Sequence, residues 1–362
     1  MTTTRQRIDL LARAYPRLFP RAELFRLVRG QLGHVDALDR WIVRDGKRVR
    51  ARAPQSIYHI CAGNLAVSAQ TSLAHGLVLG AHNFVKLPGD RDDDSATRRD
   101  ILDFIRGLPV PLRRLVETHR ELKESVLRRA QAVIAFGSDA TMASLRGKLR
   151  FDQNFIAHGH ALSLLWIGEP DKFTPRQARA CAIDVLTYDQ LGCLSPQAIY
   201  VPPGSDIDAL GEQLSRALEA HWRSLKKKPA RPLGVAARIA EARDVAFARG
   251  HQVWLPPPRH LGWTLIRDPD PTFAPSPLHG VIAIRRAGES TLKKALASVT
   301  GRISTVGVAG QISSRLENVF LSLGVSRFCP AGRMQFPPLT WHHDGRQTLA
   351  ELVTWVDAED RA

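Results

Sequence analysis

The chain has 362 residues, 51 lysines and arginines against 35 acidic residues, a formal charge of +16 and 44% hydrophobic content. That length passes the roughly 250–300 residues at which a single core stops growing, so two domains with real cores are expected. No apolar run reaches the ~18–20 residues of a bilayer span, and MTTTRQRIDLLARAYPRLFP lacks the apolar block and cleavage site of a secretory signal, which predicts a cytoplasmic protein.

In chain order, the first fifty or so residues read as amphipathic helices. WIVRDGKRVRARAP follows, with Asp45-Gly46 as a hairpin turn between short basic strands. From residue 56 an alternation sets in: strand SIYHICAG, helix VSAQTSLAHGLVLGA, strand NFVKLP, helix SATRRDILDFIRGL, a second helix near LRRLVETHRELKESVLRRA, strand QAVIAFGS, helix DATMASLRGKL and strand FDQNFIAHG. Apolar strands alternating with amphipathic helices predict a parallel α/β sheet. A second α/β series runs from the helix TPRQARACAIDVLTYDQ through the strand QAIYVPPG, two helices, the strands HQVWL, GWTLIRD and GVIAIRR, the helix STLKKALASV and the strand ISTVGVAG to the helix ISSRLENVFLSL. The expected division is residues 1–170, with N-terminal helices and an α/β domain, residues 171–345, a second α/β domain carrying Cys193, and residues 346–362, a C-terminal helix or tail.

The positive charge raises nucleic acid as a partner, but apart from Lys226-Lys227-Lys228 the arginines are spread over helix faces, as solvated faces are. Coenzyme A and dinucleotides are polyanions too. The four cysteines, Cys61, Cys181, Cys193 and Cys329, form no CxxC pair, which argues against a disulfide framework or a zinc knuckle. Cys193, in DQLGCLSPQ, lies on an irregular connection after a helix carrying Asp184 and Asp189. There a thiol is either a small packed residue or a nucleophile beside backbone amides that stabilise a thiolate and an oxyanion. Asn64 ends a strand just before a helix, where it is either an N-cap or an amide donor at the carboxyl edge of the sheet. Lys86 ends the next strand, placed for a ribose or phosphate or simply for water. Gly137-Ser138 forms a strand–helix junction of the kind that receives a pyrophosphate, without the GxGxxG pattern.

Taken in order, an Asn, a Lys, a Gly-Ser turn and a later thiol resemble an aldehyde-dehydrogenase-like enzyme with two α/β domains, a Rossmann-like cofactor domain and a catalytic cysteine domain. More closely, ICAGN at 60–64, KLP at 86–88, AVIAFGSDATM at 132–142, HGHALS at 158–163, DQLGCLSPQ at 189–197 and FCPAGRMQFPPLTWHHDG at 328–345 resemble the acyl-CoA reductase family typified by the LuxC component of bacterial luminescence. The resemblance implies that Cys193 takes an acyl group from a long-chain thioester and that Asn64 with the Cys193 amide binds the oxyanion. It also implies that Lys86 and Gly137-Ser138 hold NADPH, NADH remaining open, and that hydride transfer releases the aldehyde. It implies fatty acyl-CoA or an acylated protein from an acyl-protein synthetase as partner, and a homo-oligomer.

FIAHGHALS lacks the glutamate with which hydrolytic relatives activate water, which suits a reductase; His158 or His160 packs against core or cofactor, or moves a proton. His342, His343 and Asp344 suggest a metal, but adjacent histidines in a strand point to opposite faces, so a hydrogen-bonded cluster is expected and no metal. The chain is shorter than the usual luminescence reductase, and KLPGDRDDD departs from the family's Lys-Leu-Pro-Ser. The alternatives are a non-catalytic acyl-binding scaffold, an NAD(P)-dependent aldehyde dehydrogenase and a basic nucleic-acid-binding module.

Overall fold

The computed structural model describes residues 2–89 and 92–359. It divides into two compact units, residues 1–160 with 338–362, and residues 161–337. Among the described residues no helix is long and apolar enough to cross a membrane.

The first unit opens with α1 (Thr4–Ala14), fixed by a capping box in which the Thr3 hydroxyl accepts from the Gln6 amide and the Gln6 side chain accepts from the Thr3 amide. After α2 (Arg21–Leu32) come β1 (Ile42–Arg44) and β2 (Lys47–Arg52), joined through Asp45 (φ 52°) and Gly46 (φ 75°). Two left-handed residues in a two-residue loop match the twist of an antiparallel pair, so the expected hairpin is present. The sheet is then built from β3 (Ser56–Ile60), α3 (Ala66–Leu79), β4 (His82–Lys86), α4 (Asp92–Gly107), α5 (Val110–Arg113), β5 (Val116–His119), α6 (Glu124–Arg129), β6 (Ala132–Phe136), α7 (Asp139–Arg146) and β7 (Asn154–His158). Its order is β5-β4-β3-β6-β7, all parallel. The chain therefore runs outward from β3 to β5, returns to place β6 on the other side of β3, and leaves a switch point between β3 and β6, where α/β sheets bind ligands at the carboxyl ends. The second helix expected across residues 112–130 is interrupted: Val116–His119 is a strand hydrogen-bonded to β4, and edge pairing overrides the helix-favouring residues on either side.

The second unit consists of β8 (Leu162–Ile167), α8 (Pro175–Leu186), β9 (Pro196–Val201), α9 (Ile207–Ser224), α10 (Leu233–Ala248), β10 (Val253–Trp254), β11 (Thr264–Arg267), β12 (Val281–Arg286), α11 (Glu289–Ala295), β13 (Ile303–Ala309), α12 (Ser314–Ser322) and β14 (Arg327–Pro330). The seven-stranded order is β10-β11-β12-β9-β8-β13-β14, with β10 alone antiparallel to its neighbour. Sequence reading passes over β8 and β14. Every residue of β8 is buried, and LSLLWI shows the continuous apolar run of a central parallel strand instead of alternation. This strand also moves the domain boundary from 170/171 to 160/161, because β8 pairs with β9 and β13 on either side. The C-terminal segment is not a helix or a tail: after a short 3-10 turn, β15 (Thr354–Ala358) pairs antiparallel with β2 and returns the chain to the first unit.

Candidate active site

Cys193 lies between α8 and β9, on a turn secured on several sides. α8 starts at a capping box, Thr174 with Gln177, and Pro175 in its first turn. Beyond its end Tyr188, Asp189 and Gln190 are all left-handed, with φ 56°, 54° and 62°. The Gln190 amide nitrogen donates to the carbonyls of Pro196 (2.8 Å) and Val281 (3.2 Å), while its oxygen accepts from the Gly280 amide (2.9 Å). Ser163 of β8 donates to the Cys193 carbonyl at 2.7 Å, the Ser195 amide donates to the Gly192 carbonyl at 2.9 Å, and Gln335 donates to the Ser195 hydroxyl at 2.9 Å. Ser163, Gln190, Ser195 and Gln335 are all buried, so each bond holds the turn away from competing water. Ser163→Ala is expected to cost about 1 kcal/mol, read as a lower urea midpoint, because it leaves the Cys193 carbonyl without that donor.

The four thiols differ sharply. Cys193 is half-buried, while Cys61, Cys181 and Cys329 are buried. Burial pushes the Cys61 thiol up to about 12 and that of Cys329 up to about 11, and raises Cys181 as well. Thiolate, not thiol, is the nucleophile, so those three are packing residues. Asp184, on the helix that precedes the thiol, accepts from the amides of Gly332 (2.5 Å) and Met334 (3.1 Å), and burial raises its carboxyl to about 7. It fixes the CPAGRMQ loop that carries Gln335.

In the first unit, the carboxyl edge of the sheet collects the other predicted residues. Asn64 follows β3 and is exposed; the N-cap position of α3 is Leu65, whose side chain makes no cap hydrogen bond. Lys86 is the last residue of β4, opposite Ile60 and His119, and half-buried. The Gly137 amide donates to the His158 carbonyl at 3.2 Å, and the Ser138 hydroxyl caps α7 by accepting from the Thr141 amide at 3.2 Å. A Cβ at Gly137 would come within 3.3 Å of the Met142 methyl and 3.5 Å of Thr141, so at this position a side chain would pack tightly on the first turn of α7. Asp139 follows at once, and its carboxylate accepts from the exposed His160 amide at 2.9 Å, placing a negative charge beside the junction that sequence reading offers to a pyrophosphate. The acidic run after Lys86 lies partly outside the described residues.

His158, His343 and Asp344 come together, whereas His342 is exposed and lies outside the group. The His158 Nδ1 and an Asp344 oxygen lie 2.8 Å apart, and His158 and His343 stack at 4.1 Å with planes 24° apart, between Phe136 and Trp341. A metal must lie in the plane of each imidazole it binds, and near-parallel planes side by side do not meet close to both rings. As placed, the trio is a stacked pair bonded to a carboxylate. Sequence reading finds its members but misses Ser163, Gln190 and Gln335, whose sole signal is their position in the HGHALS, DQLGC and FCPAGRMQF blocks.

The sequence profile of the family described as Acyl-CoA reductase (LuxC) matches residues 2–355. Long-chain acyl-protein thioester reductase of Aliivibrio fischeri is 23% identical over 353 residues, covering 94% of this chain and 72% of the relative. The enzyme of the same name from Photorhabdus luminescens is 24% identical over 348 residues, covering 93% and 70%. Among solved structures, an NAD-dependent aldehyde dehydrogenase from Sinorhizobium meliloti superposes with TM-score 0.68 at 14% identity, covering 99% of this chain and 82% of the other. The NADP-dependent glyceraldehyde-3-phosphate dehydrogenase from Bacillus halodurans gives 0.66 at 13%, covering 99% and 87%. The two-unit α/β architecture is thus that of the aldehyde dehydrogenase superfamily, and the chain, an oxidoreductase, belongs to the acyl-CoA reductase (LuxC) family.

Proposed function

We propose that this chain reduces a long-chain acyl thioester, either acyl-CoA or an acylated protein, to the fatty aldehyde with NADPH, through an acyl group carried on Cys193. The observation that supports this most directly is the contrast among the thiols: Cys193 is half-buried on a turn held by buried hydrogen bonds, and the other three are buried with their thiols raised. The first unit suits a nicotinamide dinucleotide, since its strand order leaves a switch point between β3 and β6, with the Gly137-Ser138 turn at the carboxyl end of β6. Lys86 would hold the ribose or its 2′-phosphate, and Gly137 with Ser138 would line the pyrophosphate. The bound cofactor supplies a hydride to the acyl carbon.

The rest of the reaction belongs to the chain. The Cys193 sulfur attacks the thioester carbonyl, a C–S bond forms to the enzyme, and the bond to the leaving thiol breaks. Asn64 and the Cys193 backbone amide are assigned as donors to the oxyanion, a role worth roughly 3 kcal/mol per donor in other acyl-transfer enzymes. After reduction the thiohemiacetal collapses, expelling aldehyde and restoring the thiolate. The block running from Asn154 to Ser163 contains no carboxylate to activate water, which protects the acyl-enzyme from hydrolysis.

Mixing the protein with myristoyl-CoA and NADPH should consume NADPH and yield tetradecanal. Cys193→Ala should lower the rate at least about a thousandfold, as removal of a nucleophile does elsewhere. NADPH oxidation that survives in the alanine variant would assign the chemistry to another residue. A parent protein that neither consumes NADPH nor gains the acyl mass would overturn the thioester assignment.

A further inference from the structure

We propose that Asp189, clamped by Arg231 and His279, is a positioning residue that sets the direction in which the Cys193 turn leaves α8. The inference rests on Cys193 being the nucleophile and concerns three residues that the sequence motifs leave without a role. Tyr188, Asp189 and Gln190 are successive non-glycine residues in the left-handed region, a run that L-residues avoid because Cβ crowds the following carbonyl. Tyr188 is 42% exposed, so packing of its ring does not hold the backbone there. A second left-handed run, Leu278, His279 and Gly280 with φ 68°, 56° and 81°, lies against the first.

The two runs are tied by His279 Nδ1 to an Asp189 oxygen at 2.5 Å and by the Gly280 amide to Gln190 at 2.9 Å. Arg231 spans both Asp189 oxygens with its two terminal nitrogens, at 2.8 and 2.9 Å, while its Nε donates to the Leu261 carbonyl at 2.9 Å. The side chains of Asp189, Arg231 and His279 are 11%, 12% and 10% exposed, so this fork works largely out of water. Strained backbone persists where surrounding structure over-determines it, and it gathers at functional sites. Here the strained residues lead through Leu191 and Gly192 directly into Cys193.

The test is Asp189→Asn, since asparagine tolerates a left-handed backbone and keeps the size while losing the charge that Arg231 grips. The rate of iodoacetamide alkylation at Cys193, located by peptide mass, is read beside kcat and KM for myristoyl-CoA, well below the variant's melting temperature. Alkylation and kcat should each fall at least about tenfold with KM within threefold, and Arg231→Lys, which keeps the charge without the fork, should fall between variant and parent. His279→Asn serves the same reading if Asp189→Asn does not fold. Variants that lose only melting temperature, with alkylation and kcat within twofold of the parent, would reduce the clamp to a stabilising contact and overturn the proposal. A parent that alkylates at Cys193 yet turns over no thioester would instead overturn the proposed reaction, and the alkylation rates would still decide the clamp.

Discussion

Lowering the pH from 7 to 4.5 is expected to weaken the first unit by about 5 kcal/mol, on the order of the whole stability of a domain. His59 is buried on β3 with Nδ1 2.7 Å from the Ser72 hydroxyl and Nε2 3.0 Å from the Asn83 amide oxygen, and burial lowers it to about 4. His75 on α3 is buried with no hydrogen-bond partner on Nε2, and burial, reinforced by His343, His59 and His158, lowers it to about 3. In the unfolded chain both titrate near 6.5. The unfolded state therefore takes up protons first as the pH falls, and stability drops from about pH 6.5 down to the folded values, about 4 for His59 and about 3 for His75, by about 2–3 kcal/mol for each histidine at pH 4.5. His343 is lowered to about 4 by burial and by His158 and acts in the same sense. Asp184 in the second unit has the opposite sign: its folded carboxyl, raised to about 7, binds a proton that the unfolded chain releases, so its contribution grows as the pH falls from 7 toward the usual carboxylate range. Limited proteolysis followed by peptide mass should accordingly show cuts within residues 2–160 first as the pH is lowered. The thermal midpoint should fall less steeply in His75→Leu than in the parent. Equal slopes in parent and variant, or first cuts within residues 161–337, would contradict this account.

The same histidines show how far the sequence could be read. The parallel sheets, the Asp45-Gly46 hairpin and the thiol on an irregular connection follow from periodicity and turn chemistry, which act over a few residues. VETH at 116–119 was hidden because its neighbours favour helix and only its pairing with β4 makes it a strand. LSLLWI was hidden because a strand buried on both faces shows no alternation. The clamp on Asp189 joins side chains 42 and 90 residues apart, and no local pattern encodes a contact of that separation. Asn64, Lys86 and Gly137-Ser138 stood out because each ends or follows a strand, and the strand order then explains why those ends share one edge.

Gly76→Ala should destabilise the protein by roughly 1–2 kcal/mol although alanine is the better helix former. Gly76 is buried within α3, and its φ lies outside the left-handed range, so the backbone accepts a side chain. The obstacle is Asn83: a Cβ at 76 would sit 1.9 Å from its Oδ1 and 3.2 Å from His59 Nε2. The Asn83 side chain is fixed by donation to the Ala81 carbonyl at 2.7 Å and by contact with His59 at 3.0 Å, and the residue is fully buried. If it moves aside, its buried amide and the His59 ring lose partners, at about 1–3 kcal/mol for each unsatisfied group. If it stays, the overpacking itself costs about 1–3 kcal/mol. The gain in helix propensity, about 1 kcal/mol, offsets only part of either. A double-mutant cycle separates the terms: Asn83→Ala removes the obstructing atoms, so Gly76→Ala should cost less in that background than in the parent. Equal costs in both backgrounds would mean that the helix, not the Asn83–His59 pair, absorbs the extra methyl, and the buried network would then be looser than its hydrogen bonds imply.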